Sequence, residues 1–229
     1  MAKKANKANK ATRAAPRATL STEKVLAAAV ARADAGGVDA LSMRQLAQEL
    51  DVVPMALYKH VANKDELLDA MIDVVVAEIE PVADDLPWKA AMRRRILSAR
   101  AALLRHPWAA PVIESREAPT PAVLAYMDAM IGLFRRGGFS IDLTHHAMHA
   151  MGSRLLGFSQ ELFDDSVDLD PAVVPAMLEA MSGYPHITAV LESITHDEGT
   201  VVGTGCDDQF EFALDLLLDG LERLHDGPR

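Results

Sequence analysis

The chain has 229 residues, half of them apolar and only 5% aromatic, with a net charge of −10. Such a length and apolar content describe one or two folded domains with a substantial core, which excludes a disordered chain. A single cysteine, Cys206, excludes an internal disulfide and favours a reducing, cytoplasmic setting; no apolar run nears the roughly 18 residues of a membrane span, and the basic N-terminus lacks the apolar segment of a secretory signal.

The charge is unevenly distributed. Residues 1–17 hold Lys3, Lys4, Lys7, Lys10, Arg13 and Arg17 and no acid, so these six cations leave the rest of the chain at −16. A basic arm on an acidic body suits contact with an anionic polymer at one end, although a solubilising tail has the same composition. Residues 1–19 are of low complexity, have no hydrophobic period and include Pro16, so they are expected to be disordered. They are rich in Ala and Lys, as a transit peptide is, but show no amphipathic face.

Order is expected from Ser21, which can cap a helix. Val25, Leu26, Ala29, Val30 and Ala33 follow at helical spacing, and Gly36-Gly37 ends the run. Ser42 caps a second helix of about two turns, with Met43, Leu46, Ala47 and Leu50 facing inward. Asp51-Val52-Val53 makes a tight connection. Pro54 suits the first turn of a third helix, whose inward residues are Leu57 and Val61. Asn63 or Lys64 opens a fourth, with apolar positions from Leu67 to Ile79, and Pro81 stops it after Glu80.

Beyond Pro87 the expected helices lengthen. They run from Trp88 to Arg105, around Val112 to Arg116, from Pro121 to Arg136 (closed by Gly137-Gly138), from about Ile141 to Asp164, and from about Asp208 to His225. Between Asp165 and Asp208 a short helix near Ala172–Met181 and a loop are expected. The one β-like run, Thr200–Val202, is too short to carry a sheet. The expected fold is therefore all-α: a basic arm (1–19), a small helical domain (20–80, with its fourth helix as connector) and a larger helical domain (81–229).

Residues 42–61 meet the physical requirements of a helix-turn-helix: a short bracing helix, a tight turn, and a second helix with small, polar or basic side chains outward. The outward set is Met55, Ala56, Tyr58, Lys59 and His60. Tyr58 and His60 can donate to phosphate oxygens, Lys59 can neutralise a phosphate or reach a base edge, and Ala56 lets the backbone approach a groove. Lys64 lies where a helix N-terminus favours phosphate. Spacing alone also fits an ordinary helix surface.

The wording of the segment goes further. LSMRQLAQELDVVPMALYKHVANKDELLDAM, Leu41 to Met71, resembles the DNA-binding domain of the tetracycline-repressor (TetR) family, in its L-S-x-R-x-L-A start, its A-L-Y-x-H-V helix and its N-K-x-x-L-L-D segment. Tyr58-Lys59-His60-Val61 is closer to the tetracycline repressor's own branch than to the Y-x-Y-F branch. The resemblance covers residues 21–80. It implies a sequence-specific transcriptional regulator, normally a repressor released from operator DNA by a small-molecule inducer. Ser42 and Arg44 would touch phosphate or base, Pro54, Met55 and Ala56 would face the major groove, and Tyr58, Lys59, His60 and Lys64 would grip the backbone or groove edge. Two residues depart from the pattern. Asp51 stands where Gly is common and must accept an unusual backbone conformation, and Ala56 stands where Ser or Thr is frequent, so an operator sequence cannot be carried over.

The remaining chain resembles the same branch more loosely, through Trp88, Ala102-Leu103-Leu104-Arg105, Gly138-Phe139-Ser140 and Phe210–Leu224. The resemblance implies a domain that dimerises and holds an inducer pocket. The last helix supports a homodimer independently, since Phe210, Phe212, Leu214, Leu216, Leu217, Leu218, Leu221 and Leu224 make a wider apolar arc than one core stripe needs. Ala147, Ala150, Gly152, Ser153 and Gly157 would permit close approach of the helix from Ile141. By resemblance the pocket would be lined by Arg95, Ile113, Met127, Met130, Ile131, His145 and His149. Glu80, Arg95, Ile113 and Met130 stand where groups that hold tetracycline and magnesium would be, which argues against that inducer. Another amphiphile fits, with Arg95 able to pair with an acidic one.

His145 and His149, at i and i+4, could ligate a metal, but the sequence offers no third ligand, so no metal and no cofactor are expected. No nucleophile–base pair or phosphate loop argues for an enzyme, and Cys206, near Gly203 and Gly205, has no evident base. The rival reading is a non-specific nucleoid-type protein that binds DNA through its arm.

Overall fold

The computed structural model describes residues 20–83, 85–157 and 206–227, with isolated positions between 175 and 188. The basic arm, the run 158–164, the short helix expected near Ala172–Met181 and the run Thr200–Val202 lie wholly or largely outside these residues. Regular structure among the described residues is helical throughout, so the fold is all-α. The chain divides into two compact units between Met71 and Ile72.

The first unit opens with α1 (Thr22–Gly36), whose first turn is capped by the Ser21 hydroxyl accepting from the Lys24 N–H. Val25, Ala29, Val30 and Ala33 form its buried stripe. Gly37 sits at φ 74°, a conformation that favours glycine, and its N–H closes the helix on the Ala33 carbonyl at 2.7 Å. A single 3₁₀ turn (Val38–Ala40) leads to α2 (Met43–Glu49), capped by Ser42.

α2 ends in a Schellman arrangement. The Val52 N–H reaches the Ala47 carbonyl at 2.9 Å and the Asp51 N–H reaches Gln48 at 3.2 Å. Asp51 has φ 52°, the left-handed position that glycine usually takes and that Asp tolerates better than most residues. The expected tolerance at Asp51 is thus what the backbone adopts.

The third helix is shorter than the spacing predicts. α3 covers Pro54–Leu57, and Tyr58–His60 continue as a turn. There the His60 N–H donates to the Leu57 carbonyl at 2.8 Å, a bond three residues back that tightens the chain. The inward anchors stand as expected, with Leu57 and Val61 buried.

α4 (Lys64–Ala77) begins with Asn63 accepting from the Glu66 N–H, while the Glu66 carboxylate accepts from the Ala62 N–H. This reciprocal capping is a variant of the capping box. α4 ends three residues before the expected Glu80, because Glu78 and Ile79 bond to carbonyls three residues back. Leu46, Leu57, Leu67 and Met71 are fully buried, and each such side chain contributes ~1.5–3 kcal/mol.

The second unit contains α5 (Trp88–Arg105), α6 (Ala109–Ser115), α7 (Pro121–Arg136), α8 (Ile141–Gly157) and α9 (Cys206–Asp226). Both α7 and α9 pack on α5 and on α8. Cys206 is the first residue of α9. The core is built from Met92 and Ile96 of α5, Leu133 and Phe134 of α7, Met151 of α8, and Phe210, Leu214 and Leu218 of α9.

Aromatic rings lock the turn after α7. Phe139 lies edge-on to Trp88 at 4.6 Å and stacks on His225 at 4.4 Å. A Cβ on Gly137 would come within 2.6 Å of the Trp88 ring, so a glycine there lets the chain pass. Acids at four positions on one face of α9 hold the start of α5. Lys89 lies 2.6 Å from both Asp219 and Glu222, while Arg93 lies 2.7 Å from Asp215 and 2.6 Å from Glu211. Hydrogen bonds to Asp219 and Glu222 raise the Lys89 pKa above its ordinary value.

Candidate nucleic-acid interface and ligand cavity

In the first unit, α2, α3 and the turn after it carry the predicted DNA-contacting residues. Ser42, Arg44, Pro54, Met55, Tyr58, Lys59 and Lys64 are exposed, while Ala56 and His60 are partly so. Exposure of apolar residues marks the surface most clearly: Met55 is 71% exposed, and its neighbour Val53 is 68% exposed. Two large apolar side chains held outward beside a lysine and a tyrosine make a surface with both methyl-contacting and phosphate-contacting groups.

Several of these groups already have intramolecular partners. The Ser42 hydroxyl accepts from the Gln45 N–H and donates to the Gln45 side-chain carbonyl at 2.9 Å. His60 Nδ1 is 3.1 Å from the Thr22 hydroxyl, which ties the turn to the start of α1. Lys64 Nζ donates to the Val38 carbonyl at 3.4 Å. These contacts fix the side chains of Ser42, His60 and Lys64 against neighbouring groups of the unit itself.

The second unit contains a cavity of about 800 Å³. Six of the seven predicted ligand-binding residues line it: Ile113 of α6, Met127, Met130 and Ile131 of α7, and His145 and His149 of α8. Arg95 does not. Its guanidinium lies 5.0 Å from the Tyr126 ring centre, and it is the Tyr126 side chain that lines the cavity. Arg95 therefore backs the wall without forming it, although its neighbour Ile96 lines it. The Tyr126 hydroxyl is buried without a hydrogen-bond partner among the described residues, and burial pushes its pKa up to about 12, against the lowering effect of the Arg95 charge.

The two histidines face each other, with Nε2 atoms 3.2 Å apart. No group of three or more His, Cys, Asp or Glu side chains is gathered for a metal among the described residues. Glu80 lies outside the wall, paired with Arg94 at 3.2 Å. No described helix is long and apolar enough to cross a membrane.

The family model "Bacterial regulatory proteins, tetR family" matches residues 25–71, and "Tetracyclin repressor-like, C-terminal domain" matches residues 80–225. The chain belongs to the TetR family. It is 34% identical to the HTH-type transcriptional repressor DrrR1 of Streptomyces coeruleorubidus, over 91% of this chain and 80% of that one. Among solved structures it is similar to ActR of Streptomyces coelicolor in complex with actinorhodin, with TM-score 0.68 and 25% identity over 92% of this chain and all of that one. It is also similar to BioQ, of Mycobacterium smegmatis, with its double-stranded DNA operator, with TM-score 0.60 and 27% identity over 89% of this chain and 98% of that one. As a TetR-family member the chain is a DNA-binding transcriptional regulator.

Within this TetR-family frame the sequence reading missed several residues. Val53 was read only as part of the turn, yet it stands as far out as Met55. Arg116, Arg135, Tyr126 and Thr144 also line the cavity. A usable signal existed for Arg135: Met127, Ile131 and Arg135 follow one another at four-residue intervals on α7 and so share a stripe. No pattern along the chain marks Arg116, which follows α6.

Proposed function

We propose that the protein is a cytoplasmic, homodimeric repressor that binds a palindromic operator and is released from it by a small hydrophobic molecule. One observation carries this reading. The same chain joins an exposed α3 surface, anchored from below by Leu57 and Val61, to a cavity large enough for a drug-sized ligand. We read residues 20–80 as the DNA-binding domain with α4 as its connector, and 81–229 as the ligand-binding and dimerisation domain. The names of DrrR1, a repressor, and of ActR and BioQ, seen with a small molecule and with an operator, support the same combination.

In the DNA-binding domain, Pro54, Met55 and Ala56 face the major groove. Ser42, Arg44, Tyr58, Lys59, His60 and Lys64 hold phosphates or the groove edge. Base contacts would come from few residues, so most affinity is electrostatic and salt-dependent. Dimerisation is supported by α9, where Phe212 and Leu216 are exposed on a face opposite the buried Phe210, Leu214, Leu218 and Leu221, and Leu224 is exposed near its end. Two copies are also what a two-fold operator with half-sites about 34–36 Å apart requires.

Release follows from population shift. α4 starts at the DNA-binding domain and contributes Val76 to the cavity wall. A ligand that fits one position of the C-terminal half of α4 better than another shifts the conformer population by its differential affinity, and operator affinity changes by the same factor. The test is selection of random duplexes by the purified protein at physiological salt, followed by sequencing. An enriched palindrome bound at least ~10³-fold above bulk DNA is the expected result. Binding without enrichment, lost on removal of residues 1–17, would instead make it a non-specific nucleoid-type protein.

A further inference from the structure

The charges around the cavity narrow the chemistry of its occupant. Acids outnumber Lys and Arg in this chain by 33 to 23, yet among the described residues no Asp or Glu lines the cavity. The ionisable side chains that do line it are Arg116, Arg135, Tyr126, His145 and His149. Arg95 adds a third guanidinium directly behind the wall, on the Tyr126 ring. The rest of the surface is largely hydrocarbon, from residues such as Ile96, Ile113 and Met130.

Arg135 is held in place. Its Nη1 donates to the Phe139 carbonyl at the end of the turn that follows α7, which fixes the guanidinium at the wall without neutralising it. Arg116, itself engaged by groups around it, also stands at the wall. Among the described lining residues a ligand cation would meet like charges and no carboxylate. A neutral polar group would be only partly compensated for its lost water. An anion would gain charge-assisted hydrogen bonds, which are about twice as strong as neutral ones, in surroundings where screening is weak.

We propose that the cavity selects a hydrophobic organic anion: a bulky apolar body bearing one carboxylate, sulfonate or phenolate, with the charged group held by Arg135 and with Arg116 as a second guanidinium of the wall. The proposal rests on the ligand-binding reading above and adds the ligand's charge class to it. It moves the anion-pairing role from Arg95, where the sequence reading put it, to an arginine of the wall itself.

Two fluorescent probes with one ring system separate the two claims. 1-Anilinonaphthalene-8-sulfonate is an anion, and N-phenyl-1-naphthylamine is the same skeleton without the sulfonate. Both are titrated into the full-length protein and into Arg135→Gln, Arg135→Lys, Arg116→Gln and Met127→Trp, with a melting curve for each variant to establish folding. The anion is expected to bind about tenfold tighter than the neutral probe, the worth of one charge-assisted bond. Arg135→Gln should remove most of that preference while leaving the neutral probe unchanged, Arg135→Lys should restore part of it, and Met127→Trp, which fills the cavity, should weaken both probes. Equal affinities in the native protein, or a preference that survives Arg135→Gln combined with Arg116→Gln, would overturn the anion inference and leave the cavity as a neutral-ligand site. Failure of both probes to bind, or binding indifferent to Met127→Trp, would overturn the ligand-binding reading along with it.

Discussion

The two units present their functional residues in opposite ways. In the first, groups for a partner stand outside a small core: Met55 and Val53 are among the most exposed apolar residues of the chain, and directly beneath them Leu57 has no exposed surface. In the second, the partner is received inside, and the wall is assembled from α4 to α8, with no single segment supplying it. The contrast separates two kinds of sensitivity. Outward residues of the first unit can change without disturbing the fold, whereas changes around the cavity alter packing and binding together.

Substitutions sharpen that contrast, beginning with the largest effect. Leu57→Ala should destabilise the first unit by about 2–5 kcal/mol, because a cavity replaces a fully buried side chain, and DNA binding should fall with it. A melting curve beside an operator titration measures both, and an unchanged melt would break the distinction between anchor and surface.

Next comes the turn after α7 in the second unit. Gly137→Ala would bring a methyl into the Trp88 ring, so a cost of about 1–3 kcal/mol and a shifted tryptophan emission are expected. Lys59→Ala tests the outward side of the first unit. Operator affinity should drop about tenfold and the salt slope by about one, with stability within about 0.5 kcal/mol of the parent.

The smallest effect is expected at Glu78, just past α4. Its carboxylate accepts from Arg105 Nη2 at 2.6 Å and lies 3.2 Å from His106 Nε2. The Arg105 bond first, then His106, holds the Glu78 pKa below its ordinary value. A lowered folded pKa contributes stability that is fully present above the ordinary carboxylate range and is lost as pH falls through the lowered value. Melting temperatures followed from about pH 7 down to about pH 3 should therefore decline less steeply on the acid side in Glu78→Gln than in the parent. Parallel curves would show that the pair carries no pH-dependent stability.

Much of the helical framework was legible in the chain because its signals are local. Caps and breakers mark the ends of α1 and α7 within a residue, since Ser21, Gly37, Pro121 and Gly137 act on their own neighbourhoods. Less legible were ends set by competition between bonding patterns. α3 stops at Leu57 and α4 at Ala77 because bonds three residues back take over, and no residue type announces that change.

By itself, the sequence determined the all-α fold, the buried anchors of the helix-turn-helix and its outward residues, because helical periodicity converts order along the chain directly into inside and outside. Only the tertiary structure decided which side chains meet across the cavity. It moved Arg95 behind Tyr126, brought Arg135 and Arg116 to the wall, and left the described acids out of the lining. The physical reason is that a helix's own period says which of its residues share a face, but not which residues of another helix that face will meet. That pairing depends on how α4 to α8 pack.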